Sequence, residues 1–241
     1  MRVLLVIPCY NESASIRTFL KELKGLHIPG IDITPLPVND CSKDHTLEEI
    51  KAVTDTYLDL PVNLGIGGAV QSGYRYAFEN GFDVAVQMDG DGQHPAEELH
   101  KVLAPLLKQE ADVAIGSRFI EKNGFQSSGL RRFGINYFKW LNKFLLGITV
   151  TDSTSGYRAI NRRGLELVCE YYPDEYPEPE AIVLFHLNKL KIREVPVVMK
   201  ERQGGVSSIS SFKSIYYMVK VTLGILFIFM RIKFYGKRSA L

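Results

Sequence analysis

Short apolar runs alternate with longer amphipathic stretches along most of the chain. Residues 3–7 (Val-Leu-Leu-Val-Ile) form an unbroken apolar run that stops at Pro8. That is the pattern of a strand buried on both faces and entering a loop. Segments 31–38, 84–88, 113–115 and 192–198 read as further strands. Between them, 14–26, 46–56, 68–79 and 97–109 carry apolar residues at helical spacing. Strands alternating with helices of about 10 to 15 residues predict βαβ units and a mostly parallel sheet flanked by helices. Ligands of such sheets bind beyond the C-terminal strand ends.

The second half is less regular. Residues 130–146 predict an amphipathic helix with Phe133, Tyr137, Trp140, Leu141 and Phe144 along one stripe and Arg131, Arg132, Lys139 and Lys143 at its polar positions. Either that stripe faces the core, or the helix meets an anion or a membrane. The stretch 173–180 holds three prolines and reads as a loop. Residues 214–230 are apolar apart from Lys220 and a few small polar residues. Their uninterrupted part, 221–230, is ten residues, half of the roughly 20 that a membrane span needs. Tyr216, Tyr217, Phe227, Phe229 and the flanking basic residues suit a helix lying in a membrane interface, the alternative being a helix packed on protein.

Composition narrows the class. The 241 residues are 46% hydrophobic and 23% charged, ordinary globular values that exclude a disordered, collagen-like or polytopic membrane chain. Cys9, Cys41 and Cys169 are too few and too scattered for a disulfide framework or a Cys-x-x-Cys metal site, which points to a reducing cytosol. The five histidines show no zinc-type pairing. The net charge of +2 averages two unlike parts. Of the 29 basic residues, 22 lie in 1–201 with all 27 acidic ones, a net charge of −5, and seven basic residues occupy 202–241 unopposed. Such a tail is expected to meet something anionic. Nucleic acid is not expected, because the rest of the chain is acidic and carries no aromatic–basic recognition motif.

The strongest chemical signal is Asp89-Gly90-Asp91-Gly92-Gln93-His94-Pro95 at the end of a buried strand. Two carboxylates one residue apart, with glycines that let the backbone turn and leave room, suit Mg²⁺ or Mn²⁺ shared with a diphosphate. The competing reading is a turn that caps the following helix. The first strand–helix turn, Pro8-Cys9-Tyr10-Asn11-Glu12, lacks the Gly-x-Gly-x-x-Gly of dinucleotide enzymes, so a nicotinamide reductase is disfavoured. Asp40 could accept hydrogen bonds from a base or ribose, or serve a cap. The segment 63–69 (Asn-Leu-Gly-Ile-Gly-Gly-Ala) is a weak phosphate motif leading into a helix whose N-terminus would face the site.

With Gly116-Ser117-Arg118 and Asp152-Ser153-Thr154-Ser155-Gly156-Tyr157-Arg158, these segments stand in the order of a known pattern. From about residue 1 to about 210 the chain resembles glycosyltransferase family 2, nearest its dolichyl-phosphate mannosyltransferase-like branch. The resemblance implies an α/β GT-A nucleotide-sugar-binding domain over 1–210, followed by a basic, apolar helical segment over 211–241 that is membrane-interfacial or oligomerising. It implies donor contacts at Pro8, Tyr10, Glu12, Asp40, Gly67 and Asp89, and a Mg²⁺ or Mn²⁺ site at Asp89, Asp91 and Gln93. Asp91 and Arg118 would act at the reacting centre, and Arg131, Arg132, Ser155 and Arg202 at the acceptor phosphate or diphosphate. Two departures are Asn39, where many relatives carry an aspartate, and Ser207-Ser208 in place of Ser-Lys.

The expected activity is inverting transfer of a hexose from a UDP- or GDP-sugar to a polyprenyl-phosphate or polyprenyl-linked acceptor, at the cytoplasmic membrane face. The alternatives are a hydroxyl of a growing polysaccharide as acceptor and, more distantly, a non-catalytic sugar-nucleotide-binding subunit. A phosphate acceptor is already anionic, whereas a hydroxyl needs a base. Asp152 is the candidate base, with Glu180 behind it. Peripheral membrane contact through the C-terminal helix and a homo-oligomer complete the expected partners.

Overall fold

The apolar run at the N-terminus becomes the strand around which the sheet is built. In the computed structural model, residues 1–121, 129–200 and 211–235 are described, with backbone alone at 129–131, 211–215 and 235. β1 (Arg2–Cys9) sends Val3, Leu5 and Ile7 to one face and Leu4 and Val6 to the other, all fully buried. Burial on both faces is what an unbroken apolar strand requires.

The remaining strands are β2 (Asp32–Asn39), β3 (Leu58–Asp59), β4 (Val84–Gln87), β5 (Val113–Ser117), β6 (Arg158–Asn161) and β7 (Ile192–Pro196). They lie in the order β3-β2-β1-β4-β6-β5-β7. All pairings are parallel except those of β6, which runs antiparallel between β4 and β5. The sequence pattern missed β6 because it holds only four residues and opens on an arginine. β2 carries Pro35 and Pro37, which point the way of Asn39. The Asn39 carbonyl accepts from Leu60 N on the β3 side, where β3 pairs only Val38 and Asn39, so the missing proline N–H groups interrupt no ladder.

Helices cover both faces. α1 (Ile16–Lys24) and α4 (Leu99–Leu107) pack on the Val3/Leu5/Ile7 face, with the short α2 (Thr46–Lys51) against α1. α3 (Gly65–Glu79), α6 (Arg162–Glu170) and α7 (Pro177–Leu187) cover the other. The loop expected over 173–180 therefore ends early. Pro177 and Pro179 sit in the first turn of α7, where their missing N–H groups would have no intrahelical partner in any case.

α5 (Gly129–Leu146) forms as expected, and only part of its stripe faces the core. Ile135, Phe138 and Leu141 are buried, whereas Phe133, Trp140 and Phe144 are 65%, 59% and 73% exposed. α8 (Ser211–Tyr235) buries Val221, Ile225 and Ile228 against Phe138 and Leu141 of α5 and Val183 of α7. Among the described residues no helix is long and apolar enough to cross a membrane.

Candidate active site

The C-terminal ends of β1, β2 and β4 present three loops on one rim, and hydrogen bonds knit them together. Asn11 and Cys41, each two residues past a strand end, adopt left-handed backbone (φ 57° and 55°). Asn11 N donates to Ser42 Oγ, Glu12 N to Thr46 Oγ1 (2.8 Å), and Ser13 N to Asp44 Oδ2. Burial pushes the Asp44 carboxyl up, but hydrogen bonds from Thr46 and Ser13 hold it below the ordinary carboxylate range. Tyr10 stands exposed on this rim and Glu12 is half-buried, accepting from Ser15 Oγ. Pro8 is buried within β1, so it borders the site without opening onto it.

Asp40 and Gly67 take different places from those expected. Asp40 is buried, and its Oδ1 accepts from Leu64 N at 2.7 Å, at the start of α3. Burial raises its pKa, opposed by hydrogen bonds from the Leu64 and Gly65 amides. Gly67 N donates to the Asp174 carbonyl at 2.8 Å, and a Cβ there would lie 2.1 Å from that oxygen. The N-terminus of α3 is thus closed by Asp40 and by the 173–174 backbone rather than left open for a phosphate. Gly67 is needed for close approach of two chain segments.

β4 ends at Gln87, and the two aspartates lie on the turn that follows. Asp91 is 1% exposed, and its Oδ1 accepts from Gln93 N at 2.9 Å, closing an Asx turn. Asp89 is half-buried. A Cβ on Gly156 would sit 3.0 Å from Asp89 Oδ1 and 2.9 Å from Gln87 Nε2. The missing side chain of Gly156 is therefore what lets the Asp89 carboxylate lie over the 152–156 loop. His94, buried behind Asp89, accepts from the Asp89 backbone N–H through Nδ1 at 2.9 Å and stacks on Tyr157. Two carboxylates and the Gln93 amide are hard donors. Among the described residues no three His, Cys, Asp or Glu side chains converge as a metal cage. This donor set fits a Mg²⁺- or Mn²⁺-type ion that completes its shell with substrate phosphate and water.

The wall beside this turn is a buried ion pair. Arg118 Nε and Nη2 each reach an Asp152 carboxylate oxygen at 2.7 Å, and Arg118 N donates to the same side chain. Glu194 accepts from Thr151 N and Asp152 N. Asp152 is 0% exposed and Arg118 4%. Arg118 thus holds Asp152, the candidate base, at both carboxylate oxygens. Below them, Arg158 on β6 is fully buried and donates to the Ser155 and Ser153 carbonyls. Burial raises the pKa of Glu178 on α7, Arg158 counters it, and Gln87 Nε2 donates to the Glu178 carboxylate. The sequence reading overlooked His94, Gln87, Arg158 and Glu178. Only His94 and Arg158 carried a signal, as members of motifs whose chemistry was assigned to their neighbours.

Of the expected acceptor group, only Ser155 and Arg132 have described side chains. Ser155 is buried and its Oγ accepts from Tyr157 N. Arg132 is exposed on the first turns of α5. The side chain of Arg131 and the whole of Arg202 lie outside the described residues. Glu180, second in line as base, faces α8: a Cβ on Gly224 would meet its carboxylate at 2.6 Å. Burial there pushes its pKa up to about 7, with Lys220 pulling it down.

The sheet is mostly parallel, and its inner strand β4 runs into an Asp-x-Asp turn, an arrangement that GT-A folds share. Solved structures share the architecture. Glucosyl-3-phosphoglycerate synthase from Mycobacterium tuberculosis, in complex with Mn²⁺, UDP-glucose and phosphoglyceric acid, superposes with a TM-score of 0.73 over 95% of this chain and 79% of that one. At 19% identity that likeness establishes the fold. The family model for glycosyl transferase family 2 matches residues 4–168. The undecaprenyl-phosphate mannosyltransferase of Micrococcus luteus is 33% identical, covering 87% of this chain and 88% of its own. The UDP-N-acetylglucosamine–dolichyl-phosphate N-acetylglucosaminyltransferase of Methanococcus voltae is 28% identical over 92% and 96%. The polyprenol monophosphomannose synthase of Mycolicibacterium smegmatis is 31% identical over 91% and 85%. The chain belongs to glycosyltransferase family 2, in its dolichyl-phosphate mannosyltransferase-like branch, and is a glycosyltransferase.

Proposed function

We propose that this enzyme transfers a hexose from a nucleoside-diphosphate sugar to a polyprenyl phosphate, with inversion and with a divalent cation, at the cytoplasmic face of a membrane. The observation that carries the reading is the Asp89–Asp91 turn at the end of β4, with Gly156 making room beside it. The relatives that span nearly the whole chain are named for lipid-phosphate acceptors. An acceptor phosphate oxygen would attack the anomeric carbon, and the bond to the diphosphate would break with its electron pair on the leaving group. A cation bound at Asp89, Asp91 and Gln93 would offset the charge that develops there. The chain's own part is to hold those donors, through the Asx turn at Asp91, and to keep the wall at 116–118 and 152–156 rigid. Burial of Asp152 in the grip of Arg118 favours a phosphate over a hydroxyl acceptor, since a phosphate needs no base.

The test supplies UDP- and GDP-hexoses with undecaprenyl phosphate or with a soluble glycan, and follows label into the organic phase. A lipid-extractable product whose anomeric configuration is opposite to the donor's is expected. Label found only in glycan would overturn the acceptor assignment.

Membrane contact is part of the same proposal. On α8, Tyr216, Val219, Leu223, Phe227, Met230 and Phe234 form an exposed apolar stripe. α5 lies beside α8, with Tyr137 Oη 3.1 Å from Thr222 Oγ1, and exposes Phe133 and a stacked Trp140–Phe144 pair. Lys139 and Lys143 on α5, and Arg231 and Lys233 on α8, add positive charge. This combination supports a helix pair lying in an anionic interface. In flotation with phosphatidylglycerol vesicles, the triple change W140S/F144S/F227S is expected to weaken binding about tenfold or more. Unchanged flotation would move the contact elsewhere.

A further inference from the structure

We infer that His94 is a positioning residue that holds the Asp89 backbone, with its ring edge beside the Asp89 carboxylate, and thereby sets how tightly the site takes a divalent cation. The inference rests on the metal reading above and deepens it. His94 Nδ1 accepts the Asp89 backbone N–H at 2.9 Å. That bond fixes the tautomer, because a backbone N–H can only donate, so the neutral ring carries its proton on Nε2. Nε2 lies 3.7 Å from Asp89 Oδ2. The imidazole therefore bonds the Asp89 backbone and lies beside its carboxylate.

The ring has little freedom to do anything else. It is 3% exposed. It stacks on Tyr157 with centroids 4.8 Å apart and planes 16° from parallel, and Tyr157 Oη is tied to the Pro95 carbonyl at 3.2 Å. Asp89 is also bounded by Gly156, where any Cβ would press on Oδ1. The carboxylate is thus bordered by an imidazole edge and a bare backbone. Partners that orient a ligand in this way govern affinity, and their loss typically lowers it by about 10–100-fold.

Three substitutions separate this role from mere core packing. Asn can offer Oδ1 near the position of Nδ1 and keep the backbone bond. Gln places its acceptor too far along the side chain, and Phe keeps only the stacking. Mn²⁺ is titrated calorimetrically into the full chain in the presence of UDP, and again with GDP, alongside a thermal melt of each variant. H94F and H94Q are expected to bind Mn²⁺ about tenfold or more weakly than the parent, and H94N within about threefold. If folded H94F binds Mn²⁺ as tightly as the parent, or H94N falls as far as H94Q, the positioning role is overturned while the metal site stands. If the parent itself takes up no Mn²⁺ with either nucleotide, the metal reading fails and the positioning role fails with it.

Discussion

Asp91→Asn is expected to lower sugar transfer by about 10²–10³-fold while leaving the melting temperature nearly unchanged. The asparagine retains an Oδ1 that can accept from Gln93 N, so the Asx turn is preserved. What disappears is a negative charge that is 1% exposed. That carboxylate is one of the hard donors proposed to hold a cation shared with the donor diphosphate. Excess chelator applied to the parent enzyme should reproduce the loss, with activity recovered on adding Mn²⁺ or Mg²⁺. The measurement is steady-state transfer together with a thermal melt. Full activity in Asp91→Asn, or in chelator, would remove the metal from the mechanism.

The second large effect is on stability. Arg118→Met and Asp152→Asn should each cost about 3–5 kcal/mol, because each breaks a bidentate ion pair that is almost fully buried. For a chain of this size that is a fall in melting temperature on the order of 10 °C. The double variant Arg118→Met/Asp152→Asn should lose clearly less than the sum of the two singles, since each single change already breaks the same pair. Chemical unfolding of the four proteins supplies the cycle. The experiment also separates two roles for Asp152. If it acted as a base, Asp152→Asn would lose activity and keep its melting temperature. A pair consumed in holding the wall gives the opposite result.

Part of this site could be read from the chain because its signals are local. A five-residue apolar run, helices at regular spacing and Asp-Gly-Asp at a strand end are properties of a few consecutive residues. β1, α1, α3, α4 and the Asp89–Asp91 turn appear where those patterns put them. The errors have a common cause as well. α5 offers two apolar stripes, and the sequence cannot say which is inside. Burial of Phe138 and Leu141, leaving Trp140 and Phe144 outside, was decided by α7 and α8 packing on one flank. β6 has no apolar run to announce it, because its place between two strands supplies its burial.

Side-chain roles divide in the same way. Asp40, Gly67 and Asp152 have the residue types that ligand contacts require, and composition could not tell contact from scaffold. Their partners are Leu64, Asp174 and Arg118, from 24 to 107 residues away. The sequence by itself determined that a buried parallel sheet would carry two aspartates to the end of an inner strand, since burial period and turn chemistry act over neighbouring residues. Only the tertiary structure decided which polar groups remain available there. A hydrogen bond spends a donor or an acceptor lone pair on one partner, and these partners meet only when the chain has folded.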